Sequence, residues 1–261
     1  MATTTTPTAL VMAGSKGLGY ASAEALGRSG HTVALCGRDS DALGAAARQL
    51  EEAGIEALPV TADVADPDAL SQLFARVDDA LGRLDVLVAN AGGPPAGNFD
   101  DLDDAAWERA FELTFMSAVR SIRHALPRFR AVGGGRVIVI GSSSVRRPIP
   151  GLTSSNAMRP GLAGLVKSLA TELGPEGITV NMVSPGRIET ERTRTLDAAA
   201  AEREGSTSED IRARTVAGIP MGRMGEPHEL GAMVAHLASP ASAYVTGQSI
   251  LVDGGLAPTL P

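Results

Sequence analysis

The chain has 261 residues, of which 44% are apolar and only 3% aromatic, and its formal net charge is −7. That length suits one α/β domain, and a core poor in aromatic residues must be built from Ala, Val, Leu and Ile, as in parallel strands covered by helices. The acidic balance excludes a general nucleic-acid surface. The single cysteine, Cys36, excludes an internal disulfide framework, and no Cys/His cluster has metal-ligand spacing.

No apolar run reaches the ~18 residues of a membrane span, and the N-terminal MATTTTPTA lacks the basic and apolar regions of a signal peptide. The expectation is a soluble cytoplasmic protein acting on a small molecule, with no nucleic-acid or membrane partner.

In chain order, residues 9–13 read as a buried strand, 14–19 as a glycine-rich loop and 20–29 as an Ala-rich helix. A second strand over 31–36 leads to a helix over 39–53. A third strand over 55–61 leads to a helix over 66–81, with Asp66 as cap and Pro67 in its first turn. A fourth strand over 84–89 ends in Asn90-Ala91-Gly92, and residues 102–129 are helical in more than one piece. The fifth strand, 136–141, runs into a serine-rich turn, and 157–174 lie in the next helix. A sixth strand spans 177–183. Residues 189–217 are charged and helical without a strong apolar stripe, which predicts a substrate flap at about 189–218. A helix over 227–237 and a strand over 248–252 complete the chain. Strands alternating with helices at this spacing predict a single-domain doubly wound parallel sheet of the Rossmann type, with helices on both faces and right-handed crossovers.

The loop Ala13, Gly14, Ser15, Lys16, Gly17, Leu18, Gly19 joins the first strand to the first helix. Glycines there let the backbone approach a pyrophosphate, which the free N–H groups of the helix start would hold. An acidic residue about 20 positions further on would bind the ribose 2′-hydroxyl of NAD. Gly37-Arg38 stands there instead. An arginine can pair with a 2′-phosphate, and Lys16 adds a second cation, so NADP(H) is favoured over NAD(H).

With these features in hand, the chain resembles the short-chain dehydrogenase/reductase family, most of all its 3-oxoacyl-carrier-protein-reductase branch. The resemblance runs over residues 9–255. It rests on the glycine loop, Asp63-Val64, Asn90-Ala91-Gly92, Pro185-Gly186-Arg187-Ile188-Glu189-Thr190, Thr246-Gly247-Gln248 and Val252-Asp253-Gly254-Gly255. It implies that Asp63 and Val64 flank the adenine, that Asn90, Ala91 and Gly92 line the ribose side, that Pro185 and Gly186 belong to the cofactor-binding set, and that Ile188 and Thr190 hold the nicotinamide carboxamide. It also implies a homotetramer built through the helices near 102–129 and 157–174 and the last strand. The family's loop pattern is Thr-Gly-x-x-x-Gly-x-Gly, so its first glycine corresponds to Ala13, which restricts φ where glycine does not.

The family's catalytic set is Asn, Ser, Tyr and Lys, and here the surrounding residues place Ser155 at the tyrosine position and Arg159 at the lysine position. Thr114 takes the asparagine position. The serine is Ser142 by its distance to the tyrosine position, or Ser144 by the local Ser-Val pattern. The two tyrosines, Tyr20 and Tyr244, lie far away in sequence. A serine hydroxyl is a far weaker acid than a phenol, and Arg159 keeps its charge, so it can hold ribose hydroxyls or an anionic substrate. Pro160 belongs in a helix first turn; were the helix to start there, Ser155 would sit in a loop. Arg146 and Arg147 could meet an anionic substrate. Arg192, Arg194, Arg203, Arg212 and Arg214 read as a solvated face, and His124 as a surface or packing residue.

The reading is an NADP(H)-dependent oxidoreductase for a carbonyl/alcohol substrate, with an atypical catalytic set. The alternatives are a non-catalytic nucleotide-binding protein, or a redox-neutral lyase or isomerase that uses Arg159 as an anion clamp.

Overall fold

The computed structural model describes residues 6–259; most of the N-terminal tract considered above, residues 1–5, lies outside them. Seven strands form one parallel sheet. They are β1 (Thr8–Val11), β2 (Thr32–Gly37), β3 (Ala57–Thr61), β4 (Val86–Ala89), β5 (Gly135–Ile140), β6 (Ile178–Pro185) and β7 (Ser249–Val252), in the spatial order β3-β2-β1-β4-β5-β6-β7. Leu10 of β1 pairs with Ala34 of β2 on one side and Leu87 of β4 on the other. The order therefore reverses at β1, and a crevice opens beyond the carboxyl ends of β1 and β4, where ligands of such sheets bind.

The helices between strands are α1 (Gly17–Arg28), α2 (Ser40–Glu52), α3 (Pro67–Leu81), α4 (Asp104–Phe111), α5 (Ser117–Ala131), α6 (Thr153–Leu173), α7 (Glu191–Glu204), α8 (Ser208–Ala217) and α9 (Pro227–Ala238). Local chemistry sets several of their starts. Asp39 caps α2 and Asp66 caps α3, each accepting from two backbone N–H groups, with Pro67 at the first position of α3. Strand side chains alternate between two apolar layers. Leu10 and Met12 face the layer covered by α3, α5 and α6, while Ala9 and Val11 face the one covered by α1, α2 and α9. In α3, Leu70, Leu73, Phe74 and Val77 are fully buried. Each contributes roughly 1.5–3 kcal/mol, so burial outweighs the helix's weak intrinsic stability.

Element ends shift by a few residues from the sequence reading. The helical stretch over 102–129 is α4 and α5 joined by one π turn, Glu112–Met116, which carries Thr114. The stretch read above as a flap is two helices separated at Gly205. His124 packs, stacking on Phe74 with ring centroids 5.1 Å apart.

The largest difference concerns α6. It begins at Thr153, four residues ahead of the expected 157, so Ser155 and Arg159 are both helical and one turn apart. Pro160 lies in the helix interior. The serines do not cap the helix start: Leu152 is the N-cap residue and Ser154 donates to the Pro95 carbonyl at 3.0 Å. Backbone bonds between Gly97 and both Gly151 and Thr153 tie the helix entry to the loop after β4. Pro160 is exposed, so it removes a helical hydrogen bond without packing anything in return. Pro160→Ala should therefore raise the unfolding free energy by about 1–2 kcal/mol, seen as a higher midpoint in urea at unchanged slope.

Candidate functional site

A cleft of about 1180 Å³ opens along the carboxyl ends of β1 through β6. The β1–α1 turn forms its floor at one end. The N-cap residue of α1, Lys16, makes no side-chain cap bond, and the first-turn amides of Gly17, Leu18 and Gly19 have no backbone partner. Such unclaimed N–H groups at a helix start form an anion site. Gly19 is needed for close approach: a Cβ there would lie 2.2 Å from the Ala13 carbonyl oxygen. Asn90 Nδ2 donates to that same oxygen at 3.3 Å, which links the loop to the end of β4.

Ala13 has φ of +47°, and it is the one non-glycine with positive φ among the described residues. Where the family pattern has glycine this chain has alanine, in a left-handed conformation that glycine adopts without strain. Gly14 donates its N–H to the Cys36 carbonyl at 2.7 Å, and its Cα faces the Leu35 side chain. It supports the turn and does not line the cleft, in contrast to the expectation for it.

Further along, Arg38, Asp63 and Val64 line the far end of the cleft. Arg38 is largely exposed and stands 4.0 Å from Asp63. An exposed pair of that length is worth at most ~1 kcal/mol and leaves the guanidinium free for a stronger partner. Asn90, Ala91, Gly92, Pro185, Gly186, Ile188 and Thr190 also line the cleft, as do Ser15, Lys16, Gly17 and Leu18. Thr190 has a second duty that the sequence reading missed: it is the N-cap of α7 and accepts from Thr193 N–H at 3.2 Å.

The proposed chemical residues separate into two groups. Ser142, Ser155 and Arg159 line the cleft near the end of β5. Thr114 and Ser144 do not; both hydroxyls are buried without a hydrogen-bond partner. Ser142 Oγ accepts the Ser144 N–H at 3.1 Å, which turns the chain sharply and leaves Ser142 at the cleft surface. Spacing and geometry therefore agree on Ser142. The Ser155 hydroxyl makes no hydrogen bond within the described chain and opens to the cleft.

Arg159 is buried, 7% exposed, and donates from Nη1 to the Ile140 carbonyl at 2.5 Å, while its Nε has no partner. Burial, and then the nearby Arg192, lower its pKa from 12.5 to about 10, so it remains charged at neutral pH. The sequence reading placed Arg192 on a solvated face. Instead it lines the cleft, with its guanidinium over Gly93 and Nη2 donating to the Pro94 carbonyl at 2.8 Å. The only sequence signal for it was its position two residues past Thr190, at the first turn of the flap. Of the other flap arginines, Arg194 and Arg203 make no ion pair and do not line the cleft among the described residues, while Arg214 lines it but is paired. Arg212 pairs with Glu189 and Arg214 with Glu204, and Arg187 joins Asp197. Arg147 lines the cleft; Arg146 does not.

Comparison with known proteins bears on this arrangement. The family described as enoyl-(acyl carrier protein) reductase matches residues 12–257. A putative ketoacyl reductase from Streptomyces coelicolor is 34% identical over 98% of this chain and 99% of its own length. The 3-oxoacyl-(acyl-carrier-protein) reductase FabG of Vibrio harveyi is 33% identical over 95% of this chain and 96% of its own. Among solved structures, a variant of the actinorhodin polyketide ketoreductase with NADPH superposes with a TM-score of 0.95 at 33% identity, covering 99% of this chain and 100% of that one. The L-sorbose reductase of Gluconobacter frateurii, complexed with NADPH and L-sorbose, gives 0.92 at 31% identity and covers 99% of both chains.

A parallel sheet with a phosphate-type loop at its switch point, matched over nearly its whole length to reductases, defines a dinucleotide-binding oxidoreductase. The chain belongs to the short-chain dehydrogenase/reductase family, on the side of its 3-oxoacyl-carrier-protein-reductase members.

A left-handed alanine is strained by roughly 1–2 kcal/mol relative to glycine. Ala13→Gly should recover about 1 kcal/mol of this after the added unfolded-chain freedom, raising the thermal midpoint by about 2–4 °C in a calorimetric scan.

Proposed function

We propose that this protein is an NADP(H)-dependent oxidoreductase that interconverts a carbonyl and an alcohol in a small molecule, using serine and arginine where its relatives use tyrosine and lysine. The observation that carries the reading is one continuous cleft. It runs from the uncapped start of α1, past Arg38, to Ser142, Ser155 and Arg159.

The residues fit a dinucleotide. The Gly17–Gly19 amides and Lys16 would hold the pyrophosphate, Arg38 the 2′-phosphate, Asp63 and Val64 the adenine, Asn90 to Gly92 the ribose side, and Ile188 with Thr190 the carboxamide. When bound, the nicotinamide supplies or accepts the hydride. The chain's own residues then have defined tasks. Ser142 and Ser155 donate hydrogen bonds to the substrate oxygen. Arg159, pinned by the Ile140 carbonyl, sets a fixed positive field where alkoxide charge develops, and a buried cation does this strongly. Among the residues lining the cleft none is Tyr, His or Cys, so the proton comes from water or from the substrate.

A second reading, nucleotide binding without hydride transfer or with redox-neutral chemistry, draws on that same missing tyrosine: Tyr20 and Tyr244 are both away from the cleft. NADPH fluorescence titration followed by a carbonyl panel separates the two. Binding with turnover supports the first reading; binding without turnover supports the second; absence of binding removes both.

Assembly as a homotetramer through α4, α5, α6 and β7 belongs to the same reading. Supporting it are the small residues Gly161 and Gly164 on α6 and the partly exposed Phe111, stacked on Phe115. Sedimentation of a monomer would refute this.

Three outcomes follow. Arg38→Ala should weaken NADPH at least ~10-fold, or about 1.4 kcal/mol, while changing NADH little, as read by paired titrations. The pH profile of kcat/KM should show no inflection between about pH 6 and 9, because Arg159 keeps its proton there and no side chain titrating in that range touches the reacting oxygen. The double change Ser155→Tyr with Arg159→Lys should raise carbonyl reduction, measured as NADPH absorbance loss. With both residues on one face of α6 the pair would have i,i+4 geometry.

A further inference from the structure

We infer that the substrate carries a carboxylate, and that this group is bound at Arg192 beside Arg159, next to the carbonyl or alcohol that reacts. The inference rests on the oxidoreductase reading above and assigns its substrate class.

Charge balance in the cleft is the first reason. Arg159 is more than nine-tenths buried, with one hydrogen bond to a backbone carbonyl, an unpartnered Nε and no acidic partner among the described residues. A buried charge without a counter-ion is costly, normally several kcal/mol, and calls for an anion from elsewhere. Arg192 lines the same cleft, its charge adds to the burial that disfavours the charge of Arg159, and it too has no acidic partner among the described residues. Its accessible surface faces the cleft, while Gly93 and Pro94 hold its guanidinium on the other side.

The position of the pair is the second reason. The acidic residues lining the cleft are Asp39, Asp63 and Glu191. Asp63 stands by Arg38, and Glu191 lies 3.6 Å from Lys16, so these acids serve the phosphate-loop end. Arg159 is tied to Ile140, the last residue of β5, and β4 separates β5 from β1. With strands about 4.8 Å apart, this places it roughly 10 Å from the phosphate loop. The pyrophosphate and 2′-phosphate have their own partners there, so the second pair of cations is left for the substrate.

The size of the charge distinguishes carboxylate from phosphate. Two uncompensated guanidiniums face the reacting end. The developing alkoxide draws on the buried Arg159 during reduction, which leaves Arg192 as the partner of the charge that the substrate carries at rest. Arg147 and Arg192 are both exposed residues on the wall, but only Arg192 has its guanidinium held in place, by Gly93 and the Pro94 carbonyl, so it is the one that presents a fixed cation. A carboxylate matches the planar fork of Arg192.

The test uses a non-reducible matched pair, malonamate and malonamide, titrated calorimetrically into the NADP⁺-loaded protein. Malonamate presents a carboxylate beside a carbonyl, and malonamide is its neutral counterpart. Malonamate should bind at least ~10-fold more tightly. Arg192→Gln should abolish that difference and Arg192→Lys should restore part of it, with NADPH affinity staying within about twofold for both variants. Equal binding of the two probes, or binding of neither, would overturn the inference. So would an Arg192→Gln variant that loses NADPH affinity to the same extent as malonamate affinity, since the arginine would then serve the cofactor. Thermal melts of the variants establish that they fold. If malonamate binds selectively while no carbonyl compound is reduced, the anion site stands and the redox reading fails. If neutral ketones are reduced as efficiently as oxo acids and malonamate is ignored, the redox reading stands and the carboxylate fails.

Discussion

A charged guanidinium held inside the protein is the constraint around which this end of the cleft is arranged. Arg159 sits on α6 with 7% of its surface accessible and is anchored to the carbonyl that ends β5. A lysine in that place would be driven by desolvation toward its neutral form, which suits a residue that assists a proton relay. Arginine begins from a pKa of 12.5 and, even lowered to about 10, stays charged. Under the proposed reading, the exchange gives the site a fixed field where a lysine could trade protons. Ser155, one turn earlier, contributes a hydroxyl without a readily lost proton, so the two replacements are chemically consistent.

The early start of α6 makes that arrangement possible. The loop after β4 and the helix entry are laced together at Gly97, Gly151 and Thr153, and Ser154 bonds to Pro95. These bonds extend the helix N-terminally through Pro160, which local preference alone would have put near a helix start. Tertiary hydrogen bonds outweigh the proline's cost, and Ser155 and Arg159 come to share a helix face.

At the opposite end of the cleft the backbone has kept a shape that its sequence resists. Ala13 holds a left-handed φ that its relatives' pattern assigns to glycine. Its carbonyl is fixed by Asn90 and packed against Gly19. The flap solves a different problem. Its helices α7 and α8 bury few residues of their own, and ion pairs, Arg187–Asp197 and Arg212–Glu189 among them, tie them down at the cleft's edge. Arg192 and Glu191 at the flap's first turn thereby reach the two walls of the cleft, at Pro94 and Lys16.

The sequence by itself determined the layers of the fold, because alternating apolar strands and capped helices are local signals that the packing then reinforces. It also determined the phosphate loop, Arg38 and the absence of a tyrosine at position 155, since these follow from residue type and order. What it left open were relations across the chain. Whether Ser142 or Ser144 meets the cleft depended on a turn closed by the Ser142 side chain. Whether Ser155 and Arg159 share a helix depended on bonds from the loop after β4. Gly14 proved to support the turn from behind, and Thr114 to be buried in a π turn, neither of which its residue type reveals. Arg192 looked like its charged neighbours in the flap. Only the tertiary structure separates it from them, because an arginine's role is set by where folding holds its guanidinium, here on the Pro94 carbonyl at the cleft wall without an acid in reach.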